Sequence, residues 1–214
     1  MAALAALRDI LETAAETLEG RRAELDGLDQ ALADGDHGRN MAEAARLLRA
    51  EAVELTALPL PEAVARLGAR LRALDAGTAV RLYGVFLAGM ATALPAAPER
   101  PGDLLPAVEA GLAALNREGA VPPGGKSLVD VLDAVHRALG WYAGERDLDR
   151  LSGLLLAAAG HAMHQTRYRE AKWPPAADRG PRTLDHMDAG ACSAALLLGA
   201  VLDGLDRARR SGRC

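Results

Sequence analysis

The sequence predicts an all-α fold, and three observations support this prediction. Apolar residues recur every three or four positions along almost the whole chain, which is the spacing of one helix face. Half of the 214 residues are hydrophobic but only 3% are aromatic, so alanine and leucine, both good helix formers, must build the core. No segment alternates apolar and polar residues as a half-buried strand does. We therefore predict one all-helical domain over residues 1–214.

The apolar periodicity divides the chain into nine predicted helices, and local residues support several of the boundaries. Pro61 suits a first helical turn, and Asp103 can cap the helix that follows it. Gly140 and Gly144 are typical of a helix end. The predicted helices are 1–18, 21–32, 40–57, 61–75, 79–94, 103–117, 126–143, 147–166 and 191–209.

Two glycine- and proline-containing loops interrupt the helical pattern, at residues 119–127 and 170–190. Long loops in a compact domain usually carry function. The net charge of −4 and the pI of 5.8, without a basic stripe, argue against a nucleic-acid-binding protein. Early charged residues argue against a signal peptide, and no run of 18 apolar residues predicts a membrane span. Two cysteines form no disulfide framework, so we expect a cytoplasmic protein.

The most informative segment is an acidic, glycine-containing stretch between the second and third predicted helices. It contains three carboxylates, Asp29, Asp34 and Asp36, and Mg²⁺ sites are usually built from a few carboxylates together with substrate phosphates. On an ideal helix Asp29 and Asp36 share a face and Asp34 points away, so a loop must bring them together. Gly35 and Gly38 permit such a loop. The pattern predicts a magnesium site, with a plain polar turn as the alternative.

The residues that follow favour a phosphate site at the start of the third predicted helix. Asn40 is a good N-cap, and Glu43 completes a capping-box pattern. A helix starting there directs free N–H groups toward the loop, where a phosphate can bind. Junctions with Gly plus Asp, Asn, Ser or Thr recur at 77–78, 124–127 and 188–193. In an up-and-down bundle, alternate junctions lie at the same end, so these four could converge on a polyphosphate.

Other patterns give weaker indications. Residues 125–127 (Gly-Lys-Ser) resemble the end of a P-loop, but Ala120 stands where that pattern requires glycine; capping by the serine and solvation of the lysine are simpler interpretations. His161 and His164 have metal-binding spacing without an evident third ligand, so surface or core histidines are favoured. A stand-alone metal-dependent hydrolase is disfavoured because no general base beyond His37 is evident.

Four segments together resemble motifs of the L subunit of dihydroxyacetone kinases. Residues 28–41 (LDQALADGDHGRNM) are similar to the family's metal-binding motif, L-D-x-x-I-G-D-G-D-H-G-x-N-M. Residues 82–84 (LYG), 125–131 (GKSLVDV) and 182–193 (RTLDHMDAGACS) resemble further family motifs in the same order. The chain is therefore identified as a member of this family over nearly its whole length, apart from an insertion around 171–178.

The resemblance implies a fold and a set of binding residues. The fold is an eight-helix antiparallel up-and-down barrel with ADP or ATP at one end, its phosphates held through two Mg²⁺ ions. The implied Mg²⁺ ligands are Asp29, Asp34 and Asp36. The implied nucleotide contacts are His37, Gly38, Arg39 and Asn40 at the phosphates, Thr78 and Ala79 in a glycine- and serine-rich loop, Gly119 and Leu128 at the adenosine, Arg169 near the nucleotide, and Asp188, Ala189 and Gly190 closing the site.

The resemblance also implies a phosphotransferase activity that depends on partners. The family's L subunit has no covalent nucleophile and presents its nucleotide to dihydroxyacetone on a separate K subunit. In phosphotransferase-system versions, ADP stays bound and a phosphohistidine on an M subunit recharges it; in ATP-dependent versions the L and K parts are usually fused. We therefore expect a kinase subunit of glycerol metabolism that acts, with K-type and M-type partners, on dihydroxyacetone or a related small ketose.

Departures from the family pattern favour an alternative function. Residues 76–84 are AGTAVRLYG where the family has G-G-x-S-G-P-L-Y/F-G, so Ala79 replaces a serine and Val80 and Arg81 replace Gly-Pro. The branched Val80 is expected to hinder close approach of a ligand, and Arg81 to contact a phosphate or to fill the site. The family's loop is also rewritten over residues 168–183. The alternative is a non-catalytic regulator or binding protein with a degenerate nucleotide site.

Overall fold

The computed structural model describes residues 2–120, 122–174 and 176–212, and it confirms the all-α prediction. Within these ranges the chain forms nine α-helices and three 3₁₀ segments, and no strand. The α-helices are α1 (Ala2–Gly20), α2 (Arg22–Leu32), α3 (His37–Leu55), α4 (Leu60–Ala73), α5 (Gly77–Ala91), α6 (Leu105–Arg117), α7 (Leu128–Trp141), α8 (Leu148–Gln165) and α9 (Ala189–Arg210). The 3₁₀ segments are Pro101–Leu104, Thr166–Tyr168 and Ala176–Thr183. Each predicted helix corresponds to one of these α-helices, although Met1 of the first lies outside the described residues.

Eight of the described helices close into a ring. From α3 to α9 each helix packs on the next, α9 packs on α1, and α1 packs on α3. Short connections, such as residues 56–59 and 74–76, make neighbouring helices antiparallel. The expected eight-helix up-and-down barrel is therefore confirmed, and α2 is an additional helix that packs against α3 and α9.

The helices of the ring pack closely because small residues lie at several crossings. A Cβ atom on Gly84 of α5 would lie 2.7 Å from the carbonyl oxygen of Gly68 in α4, so the two backbones are in contact. At the crossing of α9 with α1, a Cβ atom on Gly204 would lie 2.6 Å from the Cα atom of Ile10. A core of alanine and leucine side chains fills the remaining space, as the composition predicted.

Helix α9 is a core helix whose composition also resembles a membrane span. Its 22 residues include a window of mean hydropathy 1.4, so by length and composition alone it could cross a membrane, as the core helices of soluble proteins also can. Asp203 and Asp206 lie within this helix, so it lacks the uninterrupted run of 18 apolar residues by which a membrane span was judged. Helix α9 packs on α1, α7 and α8, and its apolar side chains form part of the hydrophobic core of the barrel.

Candidate functional site

The three carboxylates of the acidic stretch converge at one end of the barrel, as predicted. Asp29 lies in α2, Asp34 and Asp36 lie in the turn before α3, and one oxygen from each lies within 4.8 Å of the others. The Oδ2 atom of Asp29 accepts hydrogen bonds from the N–H groups of Gly35, at 2.9 Å, and Asp36, at 3.0 Å. Gly35 has a φ of +80°, a conformation that favours glycine. We refer to Asp29, Asp34 and Asp36 as the acidic triad.

The electrostatics of the acidic triad favour a bound cation. Partial burial raises the pKa of Asp29, and its neighbour Asp34 raises it further. Burial and Asp34 also raise the pKa of Asp36, while the guanidinium of Arg39, 2.6 Å from its Oδ2 atom, lowers it. Carboxylates held this close repel one another, and a divalent cation removes that repulsion. The oxygen donors fit a hard cation such as Mg²⁺.

Helix α3 begins at His37 rather than at Asn40, so the prediction that Asn40 caps this helix is wrong. Asp36 occupies the N-cap position, and Asn40 lies one turn inside the helix, where its Nδ2 atom donates to Asp36 Oδ1 at 2.8 Å. Asn40 therefore orients a carboxylate of the acidic triad from within the helix.

A residue of α2 supplies the acceptor that was expected from Asn40. The Oδ1 atom of Asp26 accepts a hydrogen bond from the N–H group of Arg39, in the first turn of α3, at 2.9 Å. Gly38 permits this contact, because a Cβ atom there would overlap the carbonyl oxygen of Arg22. The sequence carried no signal for Asp26, since the two bonded residues belong to different helices.

His37 faces the interior and belongs to a buried polar network. Its Nε2 atom lies 3.0 Å from the hydroxyl of Ser193, which lies 2.8 Å from the hydroxyl of Tyr83. The Ser193 hydroxyl donates to the carbonyl oxygen of Gly190 at 2.9 Å. Burial lowers the pKa of His37 to about 4, so the imidazole is neutral at physiological pH. The contact of His37 with a phosphate stays a prediction. In that contact the imidazole would be uncharged.

The start of α5 lies against the start of α3. Gly77 and Thr78 are exposed, Ala79 is half-buried, and the helix has no side-chain cap. A Cβ atom on Gly77, whose φ is +75°, would lie 2.7 Å from the Nδ2 atom of Asn40. The first-turn N–H groups of α5 have no intrahelical partner, so they are available to an anion beside the acidic triad.

Val80 and Arg81, the two residues of this helix start that depart from the family pattern, make contacts other than those that the sequence suggested. Val80 is buried in the hydrophobic core, where its branched side chain packs against apolar neighbours. Arg81 forms an ion pair with Glu118, the residue that follows α6. Arg81 therefore ties the start of α5 to the end of α6.

An apolar pocket of about 150 Å³ lies between the end of α6 and the start of α7. Gly119, with a φ of +84°, lies in the connecting loop immediately before the pocket residue Ala120. Leu128 is buried in the core at the first position of α7, beside the pocket residue Val129. The lining residues are Leu112, Leu115, Asn116, Ala120, Pro122, Pro123, Val129 and Asp133.

The start of α7 is a complete capping box that also anchors Arg169. Ser127 accepts from the N–H group of Val129 at 3.2 Å, and Asp130 accepts from that of Ser127 at 2.8 Å, so the capping interpretation of the serine is confirmed. The guanidinium of Arg169 donates to the same carboxylate, that of Asp130, at 2.7 Å. Arg169 is thereby held at this end of the barrel with part of its side chain exposed.

Lys126 is buried, so the interpretation that solvent surrounds it is wrong. Only 2% of its surface is exposed. Its Nζ atom donates to the carbonyl oxygens of Thr183 at 2.5 Å, His186 at 2.6 Å and Arg169 at 3.3 Å. These acceptors belong to a segment that follows α8, which is why local sequence could not reveal them.

Asp188 caps α9, as the simpler interpretation predicted. Its Oδ1 atom accepts from the N–H group of Ala191 at 2.6 Å. Burial raises the pKa of Asp188 to about 7, and the charges of Asp130 and Asp29 contribute. A Cβ atom on Gly190 would lie 3.5 Å from the backbone nitrogen of Leu128, so the starts of α9 and α7 adjoin. Ala189 is buried at the first position of α9.

The predicted convergence of the four junctions is therefore present in the structure. The start of α3 contacts that of α5, and the start of α7 contacts that of α9. The two pairs are joined where His37, the first residue of α3, lies 3.0 Å from the hydroxyl of Ser193 in α9. His161 and His164 of α8 belong to no metal-binding cluster of the described residues.

Comparisons with known proteins agree with this architecture. The family model of the DAK2 domain matches residues 31–203. Human triokinase/FMN cyclase is 32% identical over 92% of this chain, which spans only 34% of that protein. The ADP-binding subunit DhaL of PEP-dependent dihydroxyacetone kinase 1 from Listeria innocua is 29% identical over 87% of this chain and 89% of its own length. The dihydroxyacetone kinase of C. freundii, in a complex with AMP-PNP and Mg²⁺, has the same fold (TM-score 0.72, 23% identity, 92% of this chain and 33% of that one).

Proposed function

Because the chain belongs to the DAK2 domain family, we propose that it is the nucleotide-bearing subunit of a kinase that phosphorylates dihydroxyacetone or a related small ketose. The observation that carries this proposal is the acidic triad, with its three oxygens within 4.8 Å, beside the uncapped start of α5. A cation site adjacent to free backbone N–H groups is suited to the phosphates of ADP or ATP. The name of the Listeria innocua relative, an ADP-binding subunit of similar length, supports the proposal.

The acidic triad would hold Mg²⁺, as a pair of ions in the fullest form of the proposal. Bound Mg²⁺ supplies charge neutralisation for the phosphates during transfer. Asn40 and Arg39 orient the carboxylate of Asp36, and the N–H groups of Gly35 and Asp36 orient that of Asp29. These bonds fix the carboxylates before a cation arrives, which reduces the cost of ordering them on binding.

The remaining parts of the nucleotide fit two neighbouring features. The phosphates would lie against the exposed start of α5 at Gly77 and Thr78. The base would enter the apolar pocket between α6 and α7, where Asn116 and Asp133 are the polar residues of an otherwise apolar lining. A pocket of about 150 Å³ is of the size of a purine ring system rather than of a whole nucleotide.

The departures from the family pattern are compatible with nucleotide binding. Val80 lies in the core, and Arg81 is engaged by Glu118. Neither residue blocks the exposed start of α5. This placement favours the kinase subunit over a regulator with a degenerate site, which becomes an outcome of the binding experiment.

The acceptor ketose would be bound by a separate K-type subunit. Phosphate would pass to it from the nucleotide, and an M-type phosphohistidine donor of the phosphotransferase system would restore ATP from bound ADP in place. Two relatives support a multi-subunit arrangement, because the proteins from Listeria innocua and Lactococcus lactis are named as ADP-binding subunits of dihydroxyacetone kinases. In this scheme the chain contributes positioning and charge neutralisation rather than a covalent nucleophile.

Calorimetric titration of the nucleotide-stripped protein with ADP, with and without Mg²⁺, tests the proposal. We expect tight binding that requires Mg²⁺ and that Asp34→Asn abolishes, because a triad ligand loses its charge. The control is Asp149→Asn, which removes an exposed carboxylate from the first turn of α8, away from the triad. Absence of ADP binding by the folded wild-type protein would favour the regulator, and unchanged affinity of Asp34→Asn would remove Asp34 from the ligand set.

A further inference from the structure

Residues 166–174 and 176–188, in the connection from α8 to α9, include several that are bonded to the start of α7. Lys126 donates three hydrogen bonds to carbonyl oxygens of this segment. The N–H group of Lys172 donates to the carbonyl oxygen of Gly125 at 3.1 Å, and that of Ala171 donates to the hydroxyl of Thr183 at 3.0 Å. The described residues of this segment are therefore attached to the barrel end. This is the region that departs from the family pattern.

On its other side the same segment reaches α2 through one arginine. The guanidinium of Arg179 donates to the carbonyl oxygen of Ala31 at 3.1 Å and to that of Ala33 at 2.9 Å. Carbonyls at the end of a helix lack intrahelical partners, and a cation there also interacts favourably with the helix dipole. The two parallel donors of a guanidinium fix both carbonyls in one geometry.

The carbonyls that Arg179 binds belong to the backbone that carries the acidic triad. Ala33 immediately precedes Asp34, the exposed member of the triad, and has an unusual backbone conformation with φ −142° and ψ −131°. Asp29 lies in the last part of the same helix and accepts two backbone hydrogen bonds from the turn. Arg179 thus binds carbonyl oxygens just before Asp34, and Asp29 binds N–H groups just after it.

We propose that Arg179 is a positioning residue of the metal site, which keeps the turn at residues 31–34 in the conformation that presents Asp34 beside Asp29 and Asp36. The inference rests on the proposed function, since it assumes that the triad binds a divalent cation. Coupling of this kind is reciprocal: if the 166–188 segment stabilises the triad, a cation at the triad stabilises the segment.

Simple electrostatics makes the opposite prediction, which gives the proposal a sharp test. Arg179 carries a positive charge near a cation site, so its removal should strengthen cation binding if charge alone matters. If positioning matters, its removal should weaken binding. Arg179→Lys keeps the charge but cannot span both carbonyls with a planar pair of donors, so it separates geometry from charge.

The first experiment titrates the protein with Mn²⁺ alone and measures free Mn²⁺ by electron paramagnetic resonance, without nucleotide. We expect the Kd to rise about tenfold for Arg179→Met and about threefold for Arg179→Lys, the scale of one or two charge-assisted hydrogen bonds that hold a helix end. The matched control is Arg167→Met, because Arg167 is exposed, lies in the same connection and loses the same charge. Thermal unfolding of each variant verifies that it is folded.

The outcomes separate the two proposals. If the wild-type protein binds no Mn²⁺, the proposed metal site fails. If it binds Mn²⁺ and Arg179→Met binds equally well or more tightly, only the role of Arg179 is overturned. A loss shared equally by Arg167→Met would also overturn it, because a general charge effect would then explain the result.

Hydrogen–deuterium exchange of the wild-type protein tests the reciprocal effect without any variant, so it does not depend on whether Arg179→Met folds. Adding Mg²⁺ should slow exchange at the amides of residues 176–183 at least severalfold, while those at the opposite end of the barrel, at residues 142–147, stay unchanged. Unchanged exchange at 176–183 under Mg²⁺ concentrations that saturate the triad would contradict the coupling.

Discussion

Replacing Lys126 by methionine tests whether one buried lysine holds the connection between α8 and α9 in place. Lys126 is almost fully buried, and its Nζ atom makes short hydrogen bonds to the carbonyl oxygens of Thr183 and His186, with a longer bond to that of Arg169. Methionine has a similar stem and retains the packing, but it supplies no donor. The substitution therefore isolates the loss of these bonds.

The expected loss of stability follows from the two short bonds. A buried acceptor left without its donor costs about 1–3 kcal/mol. Thr183 and His186 each lose such a donor, while the exposed residues around His186 allow water to replace part of what is lost. We expect the free energy of unfolding to fall by about 2–4 kcal/mol, since release of the desolvated ammonium offsets some of the cost.

Chemical denaturation followed by circular dichroism measures this change, and hydrogen exchange locates it. The exchange of residues 169–186 should increase more than that of the ring helices. The matched control is Lys172→Met, because Lys172 is exposed and lies in the same segment. The reasoning would be refuted if Lys126→Met unfolded within about 0.5 kcal/mol of the wild-type protein, the usual range for surface substitutions.

Three further results are expected. Asp188→Asn should be more stable than the wild-type protein above about pH 7 and should lose that advantage as the pH falls toward 4, because burial raises the pKa of Asp188 from about 3.8 to about 7 in the folded protein. Denaturant unfolding at pH 5 and pH 8 in a chelating buffer measures the difference in stability between the two proteins. A larger advantage of the variant at pH 5 than at pH 8 would contradict the prediction. Gly84→Ala should lower the free energy of unfolding by about 1–3 kcal/mol, because its Cβ would meet Gly68 across the α4–α5 contact; Gly153→Ala, where a Cβ has open space, is the control measured by the same denaturation. Arg81→Gly and Glu118→Gln should change the ADP affinity equally and by less than about threefold, since both break one partly exposed ion pair; calorimetry that shows a much larger loss for Arg81→Gly would indicate a direct phosphate contact.

The helices and the acidic triad were predictable because local chemistry specifies them. The apolar periodicity marks nine helices, since a helix must turn the same face to the core every three or four residues. The triad followed from the oxygen ligands that hard cations require and from Gly35, whose positive φ makes the turn. The capping roles of Ser127 and Asp188 were likewise local, because each acceptor bonds an N–H group two or three residues away.

The errors share one physical cause, which is a partner distant in sequence. Asn40 is not the cap of α3 because Asp26 of the preceding helix bonds the first turn. Lys126 is buried because three carbonyls from a segment beyond α8 surround its ammonium. The pairing of Arg81 with Glu118, just beyond the end of α6, was likewise not predictable from the residues around Arg81.

The amino-acid order alone therefore specified which segments are helical, where the acidic residues gather and which family the chain belongs to, since all three depend on spacing along the chain. Only the closed ring of helices decided which residues meet at its end. It places Gly77 against Asn40, Gly190 against Leu128, and Arg179 on the last carbonyls of α2. Such contacts join residues up to 148 positions apart. Their energies come from burial and from paired charges that exist only once the ring has closed.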